Sequence, residues 1–241
     1  MLFDTHFHLD LSVDPQQVKA LIEQKKIYTI AVTNLPGLYE HTELLCLGTK
    51  FIRPALGFHP ELIFEHRHQL SLFETLLERT KYVGEVGLDN LRKSPEDFAE
   101  QKVVFERILL KCADNGKKVL TIHSRKAEQE VISMIGANFP GKIILHWFSG
   151  SIASLKKGVE NGCYFSINSA MTRSKSGANV LQNIPLDRLL LESDGPFVDY
   201  MGRPADPSVT QFVTSEIATI LGVETNLISK QLAKNFKNLI S

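Results

Sequence analysis

Two histidines one residue apart, His6 and His8, close the short run Met1-Leu2-Phe3-Asp4-Thr5-His6-Phe7-His8 at the start of the chain. In an extended strand, residues two apart project to the same side, so the two imidazoles point together. Such a pair makes half of a divalent-metal site. Four more residues of ligand type stand at or beside the ends of predicted strands. They are Glu85 in Val83-Gly84-Glu85-Val86-Gly87, His123 in Thr121-Ile122-His123-Ser124-Arg125, His146 in Leu145-His146-Trp147 and Asp194 in Glu192-Ser193-Asp194-Gly195. Singly, each also reads as a helix cap or a satisfied polar residue. Together, six nitrogen and oxygen donors at strand ends point to a metal centre. Such a donor set suits Zn²⁺, Mn²⁺ or Mg²⁺ better than copper(I) or iron–sulfur clusters, which want thiolates. Six ligands exceed one tetrahedral zinc and match two ions sharing a carboxylate.

The elements that must position these residues alternate. Strands are expected at about 1–8, 27–33, 51–57, 82–86, 118–122, 142–146, 163–167 and 188–192. Helices are expected at 14–26, 37–48, 70–79, 94–116, 127–137, 152–161, 174–183, 208–221 and 225–239. Asp14-Pro15 and Ser94-Pro95 read as an N-cap followed by a first-turn proline, and Asn115-Gly116 as a helix stop. Each parallel strand needs a crossover, so this alternation implies a parallel sheet. Eight units fit a single (β/α)8 TIM barrel spanning 1–241, with its chemistry at the C-terminal strand ends. A doubly wound open sheet is the alternative. No G-x-G-x-x-G follows the first strand, which removes the usual dinucleotide argument for it.

Composition excludes other classes. The 27 basic residues equal the 27 acidic ones, so any polyanion is handled locally, over a few phosphates. Cys46, Cys112 and Cys163 stand far apart at no zinc spacing and read as buried apolar residues in a reducing compartment. No signal peptide and no run of about 18 apolar residues is present, so a cytoplasmic location without membrane partners is expected. The stripe Leu227, Ile228, Leu232, Phe236, Leu239 and Ile240 should pack on the barrel.

In order along the chain, the motifs D-T-H-F-H (4–8), G-F-H-P (57–60), G-E-V-G-L-D (84–89), I-H-S-R (122–125), H-W-F-S-G (146–150) and E-S-D-G-P (192–196) resemble the TatD family of metal-dependent deoxyribonucleases. This family lies within the amidohydrolase-like barrel superfamily, and the resemblance runs essentially end to end. It implies one ion on His6, His8, Glu85 and Asp194 and a second on Glu85, His123 and His146, with Glu85 bridging. Two ions so placed activate water and hold a phosphodiester for in-line attack. Asp194 would orient or deprotonate that water as general base. The planar fork of Arg125 suits a phosphate oxygen. His59 either reaches the substrate or serves as a turn residue before Pro60. Ser149 and Gly150, at the expected start of the next helix, offer backbone N–H groups to a phosphate. Trp147 stands where the family usually carries cysteine, either stacking on a nucleobase or packing under a loop. Asn90 replaces the family's usual aromatic, and Gly202-Arg203 inverts its arginine-glycine pair, which bears on substrate preference. The implied activity is a 3′-to-5′ exonuclease-like DNase on single-stranded or frayed DNA. TatD-like proteins also occur in bacterial defence gene clusters, so protein partners from such an operon belong to the expectation. The alternatives are an ester or amide hydrolase, such as a deacylase or lactonase, and a non-catalytic metal-stabilised subunit of a complex.

Overall fold

The parallel strands of the barrel wall are β1 (Leu2–Phe7), β2 (Ile27–Ala31), β3 (Ile52–Pro54), β4 (Tyr82–Gly87), β5 (Val119–His123), β6 (Lys142–His146), β7 (Tyr164–Ile167) and β8 (Leu189–Leu191). A computed structural model of the chain describes residues 1–91 and 93–241. The strands pair in parallel as β1-β2-β3 and as β4-β5-β6-β7-β8. Two seams join these arcs into the barrel. At one, Leu56 bridges Val83, with Leu56 N–H donating to Tyr82 O (3.1 Å) and Gly84 N–H to Leu56 O (2.8 Å). At the other, the Thr5 hydroxyl donates to Leu191 O (3.0 Å) and Asp194 N–H donates to His6 O (3.0 Å).

The strands fill with β-branched and aliphatic side chains buried on both faces, as a parallel sheet covered by helices requires. Val83, Leu120, Ile122, Ile144, Leu145, Phe165 and Leu190 are all inaccessible to solvent. The helices are α1 (Pro15–Lys25), α2 (Tyr39–Leu45), α3 (Ile63–His66), α4 (Leu70–Leu76), α5 (Pro95–Asn115), α6 (Glu128–Ile135), α7 (Ile152–Glu160), α8 (Ser169–Thr172), α9 (Lys175–Asn183), α10 (Thr210–Leu221) and α11 (Thr225–Ile240). Asp14 and Ser94 cap α1 and α5 as their sequences predict, accepting from Gln17 N–H and Asp97 N–H. Cys46, Cys112 and Cys163 are buried free thiols. Among the described residues, no helix is long and apolar enough to cross a membrane.

The differences from the sequence reading are local. β3 spans only Ile52–Pro54, but its backbone pairing runs on past it: Ala55 N–H donates to Ala31 O (2.8 Å), Leu56 bridges Val83, and Phe58 N–H donates to Glu85 O (2.8 Å). Short helical segments at Pro60–Leu62, Ile63–His66 and Arg67–Gln69 precede α4 in a stretch with no helical period. After β8 an unforeseen hairpin, β9 (Asp199–Tyr200) with β10 (Arg203–Pro204), stands beside the barrel mouth. On α11 the expected stripe buries Ile228, Leu232, Phe236 and Leu239 while Leu227 stays exposed.

Candidate metal centre

Glu85 sits near the end of β4, buried, with its two carboxylate oxygens facing different clusters. Oε2 lies 3.4 Å from Nε2 of His6 and 3.4 Å from Nε2 of His8. Oε1 lies 2.7 Å from Nδ1 of His123, 2.9 Å from Nε2 of His146 and 3.4 Å from Nε2 of His59. The neighbouring glycines allow this crowding. A Cβ on Gly84 (φ 156°) would lie 2.1 Å from Cγ2 of Thr121, and one on Gly87 (φ 142°) 2.0 Å from the His123 carbonyl. A side chain at either position would push β5 away from the site.

His6 and His8 leave β1 on the same face, as the period-two argument requires. Their Nε2 atoms are 3.3 Å apart, and Asp194 Oδ1 lies 3.6 and 3.7 Å from them. Asp194 adopts a left-handed backbone (φ 49°) that turns its carboxylate back over the barrel mouth. Asp4, fully buried beneath, accepts from the backbone N–H groups of His6 and Ser193, both at 3.0 Å, and so ties β1 to the Asp194 loop. Thus the structure gathers all six residues of ligand type expected from the sequence, and adds His59 to the Glu85–His123 cluster.

Behind these side chains lies a layer of groups the sequence reading did not single out. His6 Nδ1 is 2.8 Å from the Thr121 hydroxyl. His123 Nε2 is 2.8 Å from Asp89 Oδ2, which also accepts from Arg125 Nε at 2.8 Å. Glu192 accepts from Trp147 N–H (3.0 Å), Asn168 Nδ2 (2.9 Å) and the Ser166 hydroxyl, and its Oε2 stands 3.7 Å from His146 Nδ1. The available signal was in the motifs themselves. Asp89 closes G-E-V-G-L-D and Glu192 opens E-S-D-G-P, each an acid in an otherwise buried segment.

The charges respond to this packing. Burial works against ionised Glu85, yet the imidazoles of His59, His146 and His6 hold its carboxyl well below the usual range. Burial, joined by the nearby carboxylates of Glu192, Glu85 and Asp4, drives Asp194 well above it. Burial pushes the His6 imidazole well below its ordinary value, with His146 adding repulsion. His146 is raised despite its burial, by the carboxylates of Glu85 and Glu192. Burial lifts Asp4 to about 7 against its hydrogen bonds from Ser193 and His6.

Of the remaining expected residues, all but Gly150 lie around a cleft of about 380 Å³ opening over Glu85. His59, Arg125, Trp147 and Ser149 line it, together with Asn34, Glu61 and Phe197, which the sequence reading did not name. His59 Nδ1 accepts from Glu61 N–H as a turn cap, while Nε2 faces Glu85 at 3.4 Å on the cleft side. Trp147 is 37 % exposed in a left-handed conformation (φ 38°), so it is a wall of the cleft and not a buried plug. Ser149 and Gly150 correct an expectation. The helix begins at Ile152 with Ser151 as its N-cap, because the Ser151 hydroxyl accepts from Ser154 N–H, so neither residue offers a helix N-terminus. The Ser149 hydroxyl donates to Glu128, and Gly150 lies against Phe148 and Glu128.

The donor set fits divalent cations. Imidazole nitrogens converge within 2.7–3.4 Å of the two oxygens of one glutamate, and Asp194 Oδ1 lies 3.6–3.7 Å from two of them. These nitrogens cannot all carry protons at once without bringing N–H groups face to face, as at His6 and His8. A cation in each cluster would satisfy the lone pairs together.

Comparison with known proteins follows this geometry. The family model described as "TatD related DNase" matches residues 3–241. The metal-dependent hydrolase YabD of Bacillus subtilis is 31% identical, covering 99% of this chain and 98% of its own. Human deoxyribonuclease TATDN3 is 28% identical over 81% of this chain and 78% of its own. The crystal structure of the TatD homologue YjjV from Escherichia coli superposes with a TM-score of 0.88 at 23% identity, covering 99% of this chain and 97% of that one, which is a likeness of fold.

Proposed function

The chain belongs to the TatD family of metal-dependent hydrolases, and from that premise we propose that it cleaves phosphodiester bonds of DNA, releasing nucleotides from single-stranded or frayed ends. The observation that carries the reading is the division of Glu85 between two clusters, Oε2 toward His6 and His8 and Oε1 toward His123 and His146. His6, His8, Glu85 and Asp194 would hold one divalent ion and Glu85, His123 and His146 a second. When bound, such ions lower the pKa of water and neutralise charge developing on a phosphoryl group.

The chain's own residues supply the rest. Asp194 Oδ1, at the edge of the first cluster, is placed to orient the attacking water and take its proton. Arg125, half-exposed on the cleft wall with Nε anchored to Asp89 and Nη2 3.4 Å from Glu61 Oε1, would exchange the weaker Glu61 contact for a phosphate oxygen. His59 Nε2, facing the second cluster, stands where it can meet the leaving group. Trp147 and Phe197, 37 % and 59 % exposed, offer two aromatic walls for nucleobases. A cleft this size, on a chain with no net charge, favours a strand end over a long duplex footprint. Buried free cysteines accord with a reducing cytoplasm, and the resemblance to TatD proteins of defence clusters suggests work on DNA ends in repair or defence.

The test is nucleotide release from end-labelled single-stranded DNA with Mg²⁺, Mn²⁺ or Zn²⁺, comparing the natural chain with Glu85→Ala. Metal-dependent release lost in the variant supports the reading, and the label pattern gives polarity. Bound metal without DNA cleavage overturns it, and ester or amide hydrolysis by the same centre becomes the activity to assay.

A further inference from the structure

One oxygen atom serves both halves of the proposed site. Asp89 Oδ2 lies 2.8 Å from His123 Nε2 and 2.8 Å from Arg125 Nε. The rest of the Asp89 residue is fixed independently. Its Oδ1 accepts from Leu91 N–H at 2.8 Å, and its own N–H donates to Gln101 Oε1 at 2.8 Å. Backbone bonds clamp the two loops on either side of it, from Leu88 N–H to His123 O and from Asn90 N–H to Arg125 O, both 3.0 Å. Asp89 is fully buried, so this oxygen has no solvent exposure and its acceptor capacity is committed to the two side chains.

Both ring nitrogens of His123 face carboxylates, Nε2 that of Asp89 (2.8 Å) and Nδ1 that of Glu85 (2.7 Å); with a cation in the cluster, the Asp89 acceptor would keep the proton on Nε2 and leave the Nδ1 lone pair for the ion. The same acceptor at Arg125 Nε holds the guanidinium, whose Nη2 also lies 3.4 Å from the half-exposed Glu61 Oε1 on the cleft wall. We propose that Asp89 is a positioning residue that couples metal binding at His123 to phosphate binding at Arg125 through this shared oxygen. The proposal rests on the reading of the site as a metal-dependent phosphodiesterase.

The test combines metal titration with a double-mutant cycle. Asp89→Asn keeps the side-chain shape but can present an amide N–H to His123. Its affinity for Zn²⁺, measured calorimetrically, should fall 10- to 100-fold, the range for loss of a group that orients a ligating histidine. Arg125→Ala should leave Zn²⁺ affinity within twofold and raise the KM for an oligonucleotide. In the double variant the two KM effects should not multiply, because Arg125 has already lost its anchor in Asp89→Asn. Should the asparagine variant not fold, nitrogen–proton correlation spectra of the zinc-loaded natural protein decide: His123 must carry its proton on Nε2. Zn²⁺ affinity unchanged in Asp89→Asn, multiplicative KM effects, or a proton on Nδ1 would overturn the proposal. A natural chain that binds no metal would instead remove the reading beneath it.

Discussion

The hydroxyl of Thr121, on β5, sits 2.8 Å from Nδ1 of His6, on β1, so a strand from one arc of the barrel orients a candidate ligand from the other. The pair is buried. Thr121→Val keeps the volume but leaves the buried Nδ1 of the imidazole without its hydroxyl partner. The expected cost is about 1–3 kcal/mol, the penalty for an unsatisfied buried polar group. Urea unfolding of the metal-free chain reads this directly, and an unchanged midpoint would show that His6 is held by other contacts.

Because Glu85 turns one carboxylate oxygen to each cluster, its loss should be felt at both. Metal analysis is expected to give two ions per natural chain, and Glu85→Ala should retain neither tightly. His146→Ala removes a donor from one cluster and should keep one ion. Adding metal to the chelator-treated natural chain should raise its stability by about 2.7 kcal/mol for each site filled at a free-ion concentration one hundred times its Kd. Equal stoichiometry in the two variants would argue against the sharing of Glu85.

Gly87 is required by space and by backbone conformation together. At φ 142°, an added Cβ would lie 2.0 Å from the carbonyl oxygen of His123, which belongs to the adjacent strand and cannot rotate away. Gly87→Ala should therefore destabilise the chain by about 1–3 kcal/mol through overpacking and displace His123 with the strand. Thermal unfolding and metal stoichiometry together test this, and a variant of natural stability holding both ions would contradict it.

Phe197 packs edge-to-face on His8 with ring centroids 4.9 Å apart, yet stays 59 % exposed over the cleft. If it carries a nucleobase, Phe197→Ala should raise KM for a short oligonucleotide by about 5- to 150-fold, from a stacking contribution of about 1–3 kcal/mol. The difference between variant and natural chain should shrink on an oligonucleotide whose terminal base is missing. An equal loss on both substrates would assign Phe197 to support of His8 instead.

A small footprint has its own signature. With two or three phosphates engaged, the logarithm of DNA affinity should fall with the logarithm of salt at a slope of about −1.4 to −2.1, near −0.7 per phosphate for a single strand. Titration of oligonucleotide binding to Asp194→Asn, to prevent turnover, measures it. A slope implying eight contacts would demand a groove outside the cleft described above.

The elements of the barrel are legible in local periodicities. Alternation of apolar runs with capped amphipathic stretches is written in consecutive residues, so the barrel class and most element positions could be read from it. The ligand-type residues were legible because a strand's end and its two-residue period fix which way His6 and His8 point without reference to the rest of the chain. Tertiary structure alone decided which oxygen of Glu85 meets which histidine, and that Nδ1 of His123, rather than Nε2, faces the centre. It also decided that Asp89, Thr121 and Glu192 stand behind the histidines, since these contacts join residues 34 to 115 positions apart or depend on neighbouring strands. The same holds for the cleft: Trp147, Phe197, Asn34 and Arg125 come from four different strand ends, and only closure of the ring brings those ends to one mouth. No local pattern encodes that convergence, because it arises from strand pairing and stagger summed around the whole barrel.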